Sequence, residues 1–184
     1  MMRINDKGFT LLEAIIAFAL LGIVSLMLIG FINAGSNSYR RVSSEVNLQF
    51  ENQITMSQLR EYFIDCNGGI CTEGDRVYVI NKTAADQVDV NVFALTDEKL
   101  MYGRKEGLDD DDDPPEAEHI MADYVTHFEV RPITGTDKVI TVDIYLTTEN
   151  NGKSYAAKQT VAPRNDVIKY DDYAGAVAAL LAEE

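Results

Sequence analysis

Gly8-Phe9-Thr10-Leu11-Leu12-Glu13 leads straight into Ala14–Ile32, a stretch with no charged side chain. A lone carboxylate at the head of an apolar helix is physically costly. At a bilayer centre it costs roughly 2.5–3.5 kcal/mol on insertion scales, so it marks a functional site unless it lies at an interface or finds a partner. Two ordinary segments compete for the stretch. A secretory signal peptide has an apolar region of about 7–15 residues and a small-residue cleavage site. Here the run is longer, and the best downstream site would place Ile32 and Ala34 where both residues should be small. A plain single-pass anchor fits the length, since at 1.5 Å per residue the run just crosses a core about 30 Å thick. An anchor, however, has no use for Glu13, nor for glycine and phenylalanine at the charge boundary.

The residues before Glu13 resolve this. A short basic leader (Arg3, Lys7) ends at Gly8. Cutting after Gly8 would give Phe9 a new α-amino group four residues before Glu13. The segment resembles, position by position at Gly8, Phe9 and Glu13, the prepilin signal of type IV pilins and type II secretion pseudopilins. The resemblance implies cleavage after Gly8 by prepilin peptidase, N-methylation of Phe9, and pairing of Glu13 with the N-terminus of a neighbouring subunit during assembly. It implies as partners other pilins or pseudopilins in a filament and tip complex, the inner-membrane assembly platform and membrane lipid. The subunit would be a single-pass membrane protein with a cytoplasmic leader and an extracytoplasmic head, then part of a cell-surface filament. The basic leader gives the same topology through the bias of lysine and arginine toward the cytoplasm.

Beyond the signal, Phe9 to Asp65 contains no proline and reads as one long helix in two halves. After Gly35-Ser36-Asn37-Ser38 the pattern turns amphipathic. Tyr39, Val42, Val46, Phe50 and Ile54, continued by Leu59, Tyr62 and Phe63, form a stripe expected to pack on the chain's own sheet. Gly22 and Gly30 are soft points, at about 1 kcal/mol each relative to alanine. Many pilins have proline where Gly30 stands.

Asn67-Gly68-Gly69 stops the helix. Cys66 and Cys71 bracket the stop. In an exported head they can form a local disulfide, with free thiols as the alternative. Without nearby histidines they make a poor zinc site. Past Cys71 the period becomes two: Val88, Val90, Val92 and Ala94, then Ile140, Val142, Ile144 and Leu146, then Tyr155 to Val161, with a turn at Asn150-Asn151-Gly152. These read as antiparallel strands with one apolar and one polar face, and with the helix they give an α+β head. Arg131-Pro132 and the closing Val161-Ala162-Pro163-Arg164-Asn165 resemble the C-terminal half of J-type minor pseudopilins and minor pilins. Asp171-Asp172 followed by Ala174–Glu184 reads as a capped alanine-rich helix, docking on the head or on another subunit.

The organisation expected is a leader (1–8), a membrane half of the helix (9–35), an α+β head (36–165) and a C-terminal tail (166–184). Asp109–Asp113 is expected to be a solvated loop, since adjacent carboxylates repel. Calcium, which several pilin-like proteins bind, would instead use Asp109, Asp111 and Asp113 with Glu116 or Glu118. No other metal and no cofactor is expected. A formal charge of −14 argues against nucleic-acid contact by the head. His119 and His127 have no nucleophile or metal motif beside them, and no glycine-rich phosphate loop is present, so an enzyme is not expected. The reading favoured is a minor structural subunit of a type IV pilus or of a secretion or competence pseudopilus. The alternative is a membrane-anchored binding module, an adhesin or sensor, outside any filament.

Overall fold

With no proline to remove a backbone donor, the chain runs as one helix, α1, from Leu11 to Ile64. The computed structural model describes residues 10–84, 87–108, 112–136 and 138–182. Gly22, Gly30 and Gly35 lie within α1 without interrupting it. The chain divides into two compact units, one ending at Ser44 and the other running from Glu45 to Glu184.

In the second unit, β1 (Gly69–Glu73), β2 (Arg76–Ala84), β3 (Gln87–Thr96), β4 (Lys99–Leu108) and β5 (His119–Asp123) form an antiparallel meander. A second antiparallel sheet contains β6 (Val125–Thr134), β7 (Val139–Asn150) and β8 (Lys153–Val161). The expected Asn-Gly turn joins β7 to β8. Asn151 and Gly152 both have positive φ, 52° and 71°, the backbone a two-residue hairpin turn requires. The tail then adds β9 (Ile168–Tyr170) parallel to β1, giving the larger sheet the order β5-β4-β3-β2-β1-β9.

The tail ends in α2 (Tyr173–Ala182). Asp172 caps it: the Gly175 N–H donates to Asp172 Oδ1 at 2.6 Å and the Ala176 N–H to Asp172 O at 3.2 Å. The helix docks on its own head. Tyr173, Ala176, Val177 and Leu180 pack with Cys71, Tyr78, Ile80, Val88, Val90 and Val92. The other parity of the same strands supplies Ile70, Val77, Val79 and Phe93 to the main core, with Leu59 and Phe63 of α1 and Val142, Ile144 and Leu146 of β7. The larger sheet is therefore covered on both faces, where the sequence pattern suggested one polar face. Asn91, which alternates with Val90 and Val92 along β3, is 4% exposed and accepts the Tyr102 hydroxyl at 3.0 Å.

Two features tie the end of α1 to the segment between β8 and β9. The Arg164 N–H donates to Ile64 O at 3.0 Å, and its guanidinium meets Asp65 at 2.8 Å. Asn165 Nδ2 donates to Cys66 O at 3.0 Å. The Arg-Asn pair thus satisfies carbonyls left over at the helix terminus. Gly103 on β4 admits no side chain, because a Cβ there would lie 1.9 Å from Glu116 O.

Candidate assembly site

Gly8 and Phe9 lie outside the described residues. Thr10 opens the helix as its cap. The Glu13 N–H donates to Thr10 O at 3.1 Å and to Thr10 Oγ1 at 3.3 Å, and the Ala14 N–H reaches Thr10 O at 3.2 Å. Thr10-x-x-Glu13 has the spacing of a capping box, which sequence reasoning missed although the signal was present. Glu13 stands at the third helical position, exposed, over the amide-rich positive end of the helix. A carboxylate held there is partly compensated by the amides of its own helix terminus.

Beyond this cap, Leu11–Ile32 presents its large apolar side chains outward. None of the most apolar eighteen-residue stretch is buried, and the helix is long and apolar enough to cross a membrane. Ser25 returns its hydroxyl to Leu21 O at 2.8 Å, which keeps the polar group satisfied inside that stretch.

Within the head the expected stripe is corrected. Val46, Phe50 and Ile54 are 54%, 62% and 40% exposed, and Tyr39 and Val42 are likewise exposed in the first unit. The face of α1 that buries is Leu48, Asn52, Thr55, Met56, Leu59 and Phe63. Leu48 and Asn52 stand two residues past Val46 and Phe50, roughly 200° round the helix. Two polar residues can sit on the buried face because the strands receive them: Asn52 Nδ2 donates to Leu146 O (3.3 Å), Thr148 Oγ1 (3.4 Å) and Tyr155 O (3.4 Å). Only Leu59, Tyr62 and Phe63 of the stripe belong to or border the core.

Residues 3–29 match the family described as the prokaryotic N-terminal methylation motif. Among solved structures, a type IV-like pilin from Thermus thermophilus superposes with a TM-score of 0.50 at 13% sequence identity, over 63% of this chain and 96% of that one. The fold is that of a type IV-like pilin. No curated protein matches the chain. Neither match is to an enzyme.

The pilin-like head separates the remaining candidate residues. Cys66 and Cys71 are free, buried thiols, not a disulfide. Cys66 packs in the main core with α1, and Cys71, on β1, packs beneath α2. The strand between them turns the two side chains into different clusters. Burial pushes the thiols up to about 11 and about 12, with Glu73 adding to the rise at Cys71. Asp109 and Asp111 of the acidic run lie outside the described residues. At its end, Lys105 Nζ meets Asp112 Oδ1 at 2.8 Å and Asp113 O at 3.3 Å, so a cation of the chain itself sits against the run. Among the described residues no cluster of three histidine, cysteine or carboxylate side chains is placed to hold a metal. His119 is on β5. His127 on β6 has Nε2 3.6 Å from Glu129, which Arg131 already holds at 2.6 Å.

Proposed function

We propose that the chain is a structural subunit, of the minor kind, of a type IV pilus or of a type II secretion or competence pseudopilus. Prepilin peptidase removes residues 1–8, Phe9 is N-methylated, and the subunit passes from the membrane into the filament through α1. The single observation carrying this reading is the exposed apolar surface of α1, which extends into the head at Val46, Phe50 and Ile54. A helix that only anchored the head would need apolar surface in the lipid and nowhere else. The methylation motif and the pilin-like fold support the same reading.

Glu13 acts in this account through charge timing. Before cleavage the Phe9 nitrogen is a neutral amide; afterwards it is a cation. The cation of one processed subunit pairs with the Glu13 of its neighbour, and cleavage gates assembly. An apolar replacement removes the burial penalty together with the registration. Glu13→Val is therefore expected to insert and to be cut after Gly8, yet to be absent from sheared filaments. Gly8→Arg is expected to keep its leader. Filament entry by Glu13→Val at the unaltered level would refute the pairing.

A further inference from the structure

Between residues 14 and 44 the chain carries two charges, Arg40 and Arg41. They are adjacent and exposed, and they lie in the same unit as the apolar stretch of α1. A chain with a formal charge of −14 is rich in acids. Yet among the described residues neither guanidinium has an ion pair or a hydrogen bond. On a helix the side chains within reach lie three or four residues away. Here those are Ser36, Asn37, Ser38, Ser43 and Ser44, all uncharged, and Glu45. Glu45 is drawn to Lys153 at 3.8 Å instead.

The place of the pair along α1 follows from the rise per residue. With Ala14–Ile32 spanning a hydrocarbon core about 30 Å thick, Arg40 stands about 12 Å beyond Ile32. That is just outside a headgroup layer roughly 5–8 Å deep. Side chains on a helix lean toward its N-terminus, which here is toward the membrane. Long basic side chains snorkel to the interface in the same way. The two guanidiniums therefore reach back into the headgroups. Tyr39, 75% exposed, precedes them, and tyrosine is enriched at this depth. Asn33–Ser38, which cross the layer, are small or amide-bearing and uncharged.

We propose, on the reading above that α1 crosses the membrane, that Tyr39, Arg40 and Arg41 form a collar for the phosphates of anionic phospholipids. The collar lies at the exported face and holds the unassembled helix at one depth. A planar guanidinium takes a phosphate through two parallel hydrogen bonds, and anionic headgroups add net charge opposite to the unpaired bases. Orientation gives the pair no other use, since bases on the exported side oppose the bias set by Arg3 and Lys7. Carboxylates of a neighbouring subunit are the competing partner. They arrive only with assembly, whereas lipid surrounds the helix before it.

The chain has no tryptophan, so one introduced residue reports alone. Ile29→Trp replaces an exposed residue of the apolar stretch, about three turns below Arg40 on the same face. The full chain is placed in vesicles of mixed phosphatidylcholine and phosphatidylglycerol, with quenching bromines on the acyl chains of one lipid or of the other. Both sets are expected to quench the tryptophan, brominated phosphatidylglycerol more strongly. That preference is expected to fall about fivefold or more in Arg40→Gln/Arg41→Gln, each base near an anionic surface being worth on the order of that factor. It is expected to weaken in about 1 M salt and to persist in Arg3→Gln/Lys7→Gln, on the opposite side. Glutamine forms helix about as well as arginine, so these changes leave α1 intact. Equal quenching by the two lipids, a preference that survives the loss of Arg40 and Arg41, or one abolished by the leader variant would overturn the collar alone. No quenching by either lipid would remove the membrane reading and the collar with it.

Discussion

Along α1, polarity and burial are related in opposite ways in the two units of the chain. From Leu11 to Ile32 large apolar side chains stand exposed. Between Leu48 and Ile64 the buried set includes Asn52 and Thr55, while Phe50 and Ile54 on the same turns are exposed. A helix folding only for its own domain would exchange these assignments. Burial in the head is decided by what the strands offer, namely carbonyls for Asn52 and an aromatic cluster for Phe63. Exposure elsewhere leaves apolar surface for contacts outside the chain.

The comparison breaks most visibly at paired phenylalanines. Phe63 is fully buried, with its ring 6.4 Å from that of Phe93. Phe63→Ala is expected to cost about 3–5 kcal/mol in denaturant unfolding of the head. Phe50→Ala is expected to change that stability by no more than about 0.5 kcal/mol while reducing filament incorporation. Equal losses of stability would place both residues in one core and remove the distinction. Asn52→Ala should cost about 1–3 kcal/mol, since it strips a buried donor from three acceptors at once. Melting of Asp172→Ala, which loses the cap of α2, should show a loss of about 1 kcal/mol.

A smaller effect sharpens the picture of the head's outer sheet face. Lys158, then Thr160, hydrogen-bond Asp143 and hold its carboxyl below the usual range. With the folded value depressed, the contribution is present above the unfolded value of about 3.9 and is lost as pH falls through the lower folded one. Asp143→Asn should therefore flatten the acid limb of the stability profile and leave its shape near neutrality unchanged. Cys66 and Cys71, raised by burial, should resist alkylation at pH 8 in the folded chain and react after unfolding, because the thiolate is the nucleophile. Rapid modification of the folded protein would show that one of them is accessible.

Much of this architecture was legible because its signals are local. The lack of proline before Asp65, the Asn-Gly turn before Lys153, the two-residue period of β7 and the aspartates ahead of Tyr173 each act within a few residues. The failures are failures of partner assignment. The stripe through Val46 and Phe50 showed that α1 has an apolar face, but periodicity carries no record of what a face meets. The face that does meet the strands includes Asn52, whose fit depends on Leu146, Thr148 and Tyr155, far along the chain. The same gap hid the second cover on the larger sheet, since Val88, Val90 and Val92 give no hint that α2 returns over them. Nor could spacing tell that β1 would turn Cys71 away from Cys66. At the candidate site, Glu13 was conspicuous as a lone charge, whereas its link to Thr10 was overlooked beside the louder glycine-phenylalanine boundary.

The central claim is that α1 is exposed because the chain is processed and then assembled through it. Intact-mass and peptide mass spectrometry of the protein from its own cell membrane tests this most directly. The account predicts a chain that begins at Phe9 and carries one methyl group on its α-nitrogen. A chain that retains Met1–Gly8, or that has been cut downstream of Ile32, would contradict it.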